Sequence, residues 1–301
     1  MTLIRTREAP ARPRAPAPPR AVRSPAFAPR GLGAALLLTG SLAAVTTVGA
    51  AGTFWLEDLQ RGTPVMEGSA RGTALVMLVI AVPMLLVGMA SAARGSVRGL
   101  FAWLGATAYI TYNALLFLLA MPFNALFLVY EATLGLSLAT LIAAWVRLEP
   151  RAVTSALARA PARALAVYMG SIVVLNSLAW LGAVVPELGS KETPRFLVGS
   201  GLATNPVYVF DLAVWLPLAG VAAVWLWQRR PVGYVLAGAV LVLWLIESIG
   251  VATDQWFGSR ADPASVIATT AGVYLFAALS VVALAAVAVF LGRLVPPGDS
   301  P

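Results

Sequence analysis

The 301 residues contain no cysteine and no histidine, and lysine occurs once, at Lys191, against twenty arginines. Disulfide staples, thiolate redox chemistry, His-ligated haem, the common zinc sites and any Ser-His-Asp triad are thereby excluded. Lys191 stands outside every apolar run, so no retinal Schiff base can form within one. The patterns GxxxxGK[ST], GxGxxG and HExxH are also absent, which argues against nucleotide-driven transport within this chain. Gly95-Ser96 and Gly170-Ser171 lack the histidine that a hydrolase base would require. No catalytic residue, metal site or cofactor is indicated. An enzyme acting on lipid with carboxylates as its sole acid and base is the least favoured reading.

Charge is scarce as well. Charged residues make up 11% and hydrophobic ones 59%, against about 25% and roughly 45–50% in soluble domains. The excess falls into eight apolar runs, over residues 32–51, 73–90, 100–120, 123–145, 164–185, 207–227, 232–251 and 264–291. Each is close to the roughly 17–25 residues that a helix needs to cross ~30 Å of hydrocarbon. They lack the alternation of barrel strands. The expected fold is an all-α, polytopic transmembrane bundle over 31–301, preceded by a basic tail at 1–30 whose Pro, Ala and Arg content predicts disorder. The basic start, the first run and Val48-Gly49-Ala50-Ala51 also fit a signal peptide, whose cleavage would leave seven spans.

With the N-terminus inside, sixteen of the twenty-one basic residues face the cytoplasm and five (Arg61, Arg71, Lys191, Arg195 and Arg260) face outward. That asymmetry places both termini in the cytoplasm. The Arg, Ala and Gly usage suggests a GC-rich bacterial genome, hence a bacterial plasma membrane. Trp55, Trp103, Trp145, Trp180, Trp225, Trp227 and Trp256 fall near span ends, where indoles favour the headgroup layer. The net charge of +8 comes mostly from the tail and points to lipid headgroups rather than nucleic acid. Residues 151–163 read as a short interfacial helix broken at Pro161. Gly31-Leu32-Gly33 and Gly135-Leu136-Ser137 have the small-residue spacing of close helix packing.

At an offset of about 130–135 residues the halves 31–150 and 160–295 coincide at several positions, which suggests a four-plus-four parallel repeat. Thr63-Pro64 matches Thr193-Pro194, Pro83 matches Pro217, and Arg94 matches Arg229. Pro83 and Pro217 lie inside spans, remove a backbone donor and are the expected hinges.

Carboxylates in hydrocarbon carry the functional expectation. Each costs roughly 2.5–3.5 kcal/mol even on lenient scales, so each needs a partner, a cavity or a task. Counting ~1.5 Å per residue, Glu131, Asp211 and Glu247 all fall in the outer third of their spans. Asn113 and Tyr112 of the third span and Asn124 of the fourth share that layer. Two arrangements satisfy the cost. The acids line a cavity open to the outside, walled by the third, fourth, sixth and seventh spans, or they pair with Arg61, Arg71, Arg195 or Arg260. Segments 186–206 and 252–263 read as outer loops able to cover such a site, the second carrying Asp254. The leading function is a transporter-like or solute-binding protein. Glu131, Glu247 and Asp211 would bind a small cation, proton or amine, which Asn113, Asn124 and Tyr112 would orient. The alternative is a non-catalytic scaffold or accessory subunit that pairs with another membrane protein.

Overall fold

The computed structural model describes residues 32–56 and 59–294, and the basic segment 1–30 lies outside them. The helices are α1 (Leu32–Trp55), α2 (Pro64–Ala93), α3 (Val97–Leu119), α4 (Phe127–Trp145), α5 (Pro150–Ala156), α6 (Ala162–Val184), α7 (Pro206–Trp227), α8 (Pro231–Ala261) and α9 (Thr270–Gly292). All but the short α5 are long and apolar enough to span a bilayer, giving eight such helices, and no strand occurs among the described residues. Backbone polarity explains the choice, because a helix satisfies its N–H and C=O groups internally where water cannot.

Two helices are longer than hydropathy indicates. The second span starts at Pro64 rather than residue 73, with Thr63 extended ahead of it and proline at the first helical position. Glu67 and Arg71 lower the hydropathy of the first two turns without breaking the helix. The seventh continues as one helix through 252–261, so the expected outer loop there is helical and carries Asp254 on α8. In the 151–163 region, α5 ends at Ala156 and Pro161 caps the start of α6.

The center of the bundle is α3 beside α8. In their most apolar windows 67% of α3 and 56% of α8 is buried, against 17% for α6. Helix α8 packs against α2, α3, α5, α7 and α9, while α1 joins α2 to α4 and α6 rests on α7. Small residues permit the close approaches. A methyl group at Gly72 would lie 2.6 Å from the Asp254 Cα, and one at Gly68 would lie 2.8 Å from the Phe257 carbonyl oxygen. Gly238 accommodates the Phe101 ring, and Gly105 accommodates Val242. Gly33 and Gly135 face open space, so the packing expected of them falls instead to these glycines on α2, α3 and α8. Trp103 is likewise buried rather than interfacial, its indole donating to Thr39 Oγ1 at 3.1 Å. This bond and the 2.7 Å contact between Thr53 Oγ1 and Tyr130 Oη tie α1 into the bundle.

The helices depart from regular α geometry just ahead of Pro83 and Pro217. A five-residue π-helical segment precedes each one, Met77–Ala81 in α2 and Asp211–Trp215 in α7. Proline cannot donate to the preceding turn and its ring crowds a carbonyl there, and a widened turn relieves both problems.

These features recur at a spacing of 134 residues. The π segments, the prolines and the starts of α3 and α8 are all separated by it. So are the ends of α2 and α7. Each closes with the same pair of bonds, Gly95 N to Ala92 O with Ser96 N to Ser91 O, and Arg229 N to Leu226 O with Arg230 N to Trp225 O. Gly95 and Arg229 are both left-handed, at φ 86° and 56°. Gly99 and Gly233 then press on the same positions of the preceding helix. The likeness is local, since α4 packs on α1 whereas α9 packs on α8.

Candidate functional site

Glu247 sits midway along α8, with Gly250 and Asp254 three and seven residues further on the same face. Asn113 of α3 donates from Nδ2 to Glu247 Oε2 at 3.1 Å and to the Tyr109 carbonyl at 3.2 Å, which fixes the amide against its own helix. Asn113 and Glu247 are themselves separated by the same 134 residues.

Tyr109, one turn before Asn113, is fully buried, and its hydroxyl has no hydrogen-bond partner. It reaches α8 at Gly250, where an added Cβ would lie 2.9 Å from the Tyr109 oxygen. Both Glu247 and Asp254 lie within electrostatic reach of that hydroxyl. Gly250 therefore opens α8 to a phenol at the level of two carboxylates. Asp254 also feels the charge of Glu247 and takes a 3.3 Å bond from Gln255 Nε2, while its backbone packs against Gly72 of α2.

Asp211 is more completely satisfied. It occupies the first position of the π segment in α7 and is 9% exposed. Tyr112 Oη donates to its Oδ1 at 3.0 Å, Trp180 Nε1 donates to its Oδ2 at 2.8 Å, and the Asn176 side chain stands beside it. One carboxylate thus joins α3, α6 and α7. The Trp215 ring meets Tyr112 edge-on at 5.7 Å. Asp211 lies within electrostatic reach of Glu247, and among the described residues no arginine is one of the side chains acting on either acid.

Of the residues singled out in the sequence, Tyr112, Asn113, Asp211 and Glu247 come together. Glu131 does not, since it is exposed on α4. Asn124 is buried but turns on its own loop, accepting from Leu126 N at 2.9 Å and donating to Pro122 O at 3.1 Å. Helix α6 therefore takes the place expected for the fourth span beside the acids. Sequence reasoning passed over Asp254, assigned to a loop, and Trp180, assigned to the interface. Pro83 lies in α2 and Pro217 in α7, each two residues beyond its π segment.

A separate cavity of about 160 Å³ opens where the end of α1 and the α1–α2 connection meet α2 and the last turn of α8. Gln60, Glu67 and Arg71 face it, together with Thr53 and Ala261.

The fold makes this chain a multi-pass membrane protein. No family model, no curated protein and no solved structure matches it.

Proposed function

We propose that the chain is a transporter-like or solute-binding protein of a bacterial plasma membrane, with both termini cytoplasmic. Its site comprises Glu247 and Asp254 of α8 with Asn113 and Tyr109 of α3, and it serves a proton, small cation or amine. The observation that carries this reading is the unpartnered hydroxyl of fully buried Tyr109, set over Gly250 within electrostatic reach of two carboxylates. A hydroxyl buried without a partner forfeits about 1–3 kcal/mol, and an embedded acid needs compensation of similar size. A cationic occupant compensates both, by neutralising the carboxylates and by engaging the lone pairs of the phenol oxygen.

Asn113 holds Glu247 in position and Asp211 locks the neighbouring helices, which leaves Glu247 as the principal ligand. The π segments lie in helices that flank the site, where a widened turn can be redistributed along the helix as the occupant enters or leaves. The spacing of 134 residues supports a parallel duplication, with the Asn113–Glu247 contact at the crossing of the two copies.

Thermal unfolding of the detergent-solubilised protein in Na⁺, Li⁺, K⁺ or methylammonium, and across pH, tests the site. The expected outcome is a rise in Tm with at least one of these, worth about 2.7 kcal/mol at a hundredfold excess over Kd. The rise should vanish in Glu247→Gln and persist in Glu131→Gln. Equal responses in wild type and Glu247→Gln would remove the site.

A further inference from the structure

Glu131 is the acid that the fold of a single chain leaves uncompensated. It is exposed on α4, and no described residue gives it a hydrogen bond or an ion pair. Its depth makes that costly. At ~1.5 Å per residue, Glu131 stands about 21 Å from Trp145 at the inner end of α4, within the ~30 Å of a hydrocarbon layer. Leu128 and Phe123 continue outward from it and are each 73% exposed, so apolar surface extends beyond the acid on its outer side. A carboxylate that faces hydrocarbon needs a counterpart, and neither α1 nor α4 contains a basic residue.

The surface around Glu131 admits another helix. Gly135, one turn further in on the same face, has open space where a Cβ would lie. Helix α1 runs antiparallel beside α4, with Gly49 against Val129 and Tyr130 and Gly52 against Leu126. Counting inward from those contacts sets Ala44 level with Gly135, and Gly40 one turn deeper. Both are exposed, and Gly40 also faces open space. Since α1 packs inward on α2 and α4 packs inward on α3, the pair forms one edge of the bundle. Small residues along such an edge let two backbones approach closely.

We propose that this edge is the interface with a second copy of the chain, in which Glu131 of one protomer faces the same acid of its partner. A copy inserted in the same orientation brings an identical carboxyl group to the same depth. Two carboxyl groups that share a proton donate and accept between themselves, so no cation has to be recruited. A two-fold axis along the membrane normal, passing beside Gly135, makes the contact from a single surface patch, the commonest arrangement among oligomers. The acids around Glu247 take no part in it.

The cysteine-free sequence makes the interface testable in native membranes. Ala132 and Leu128 are exposed beside Glu131, so Ala132→Cys or Leu128→Cys should form a disulfide-linked dimer under mild oxidation. Val174→Cys on α6 and Val281→Cys on α9, at positions 56% and 68% exposed, should stay monomeric and control for random collision. In the Ala132→Cys chain, Glu131→Leu should lower the cross-linked fraction by roughly fivefold or more, whereas Glu131→Gln retains a donor and an acceptor and should keep most of it. Gly135→Leu fills only open space within one chain. It should therefore fold as wild type and still lower cross-linking by roughly fivefold, by holding the two backbones apart. Absence of the dimer at both reporter positions would overturn the proposal, as would equal cross-linking at Val281→Cys. A dimer undiminished by Glu131→Leu and Gly135→Leu, or a cross-linked product of another mass in place of the dimer, would overturn it as well.

Discussion

Two acids of similar depth have different surroundings, and the difference assigns their roles. Asp211 receives hydrogen bonds from two helices other than its own, whereas Glu247 receives one, from Asn113. Asp211 is therefore a structural tie. Tyr112→Phe should remove the 3.0 Å bond to Asp211 with little change in packing, leaving a buried carboxylate oxygen short of a donor at a cost of about 1–3 kcal/mol. Chemical unfolding in detergent measures that loss, and wild-type stability in the variant would show that the bond contributes nothing. Arg229 offers the opposite test. Its φ of 56° is a left-handed conformation that costs a non-glycine residue roughly 1–2 kcal/mol, at the position where the matching turn has Gly95. Arg229→Gly should therefore stabilise the chain by about 1 kcal/mol, read as an upward shift in unfolding midpoint, and an unchanged or lower midpoint would contradict the turn assignment.

Among the helices, contact is set by where side chains are missing. Gly72 lets α2 close on the α8 backbone at Asp254, and a Cβ there would lie 2.6 Å from the Asp254 Cα, an atom that cannot rotate away. Gly72→Val should accordingly force the two helices apart and cost about 3 kcal/mol or more, in the range of severe overpacking. Gly135 is in a helix of similar polarity but faces open space, so Gly135→Ala should be neutral or stabilising by up to about 1 kcal/mol. Folding yield and Tm of the two variants compared side by side check this, and equal effects would show that the α2–α8 contact does not constrain the fold.

The same distinction shows what the sequence could reveal. Helix number and class follow from composition, because hydrocarbon admits few alternatives to a helix. The facing of each helix does not follow, because lipid and neighbouring helices are equally apolar and leave no periodic signal. Glu131 and Glu247 look alike in sequence, yet one is exposed and the other stands against Asn113. Asp254 was missed for a related reason. Thr253, Asp254 and Gln255 end the apolar run, but α8 continues because packing on Gly68 and Gly72 supports it. The prolines mark where α2 and α7 depart from regular α-helix, but no residue type marks the π geometry found there.

At the scale of the whole molecule, the open quantity is orientation. Arg94, Arg98, Arg147, Arg151, Arg159, Arg163, Arg229, Arg230 and Arg293 gather at one end, where cations favour the cytoplasmic face. The opposite end holds Arg61, Lys191, Arg195 and Arg260, with Arg71 in the first turns of α2. The absence of cysteine makes the question easy to put, since any introduced thiol is the only one in the chain. Ser155 in α5 and Ser190 in the α6–α7 connection are both exposed and lie at opposite ends of α6. In intact cells a membrane-impermeant maleimide should label Ser190→Cys and spare Ser155→Cys, and Ser155→Cys should become reactive only after the membrane is opened. The inverse pattern would turn the bundle over and place the Gln60 cavity on the cytoplasmic side. Labelling of both sites in intact cells would mean that α6 does not cross the bilayer, and the eight-span arrangement would fail with it.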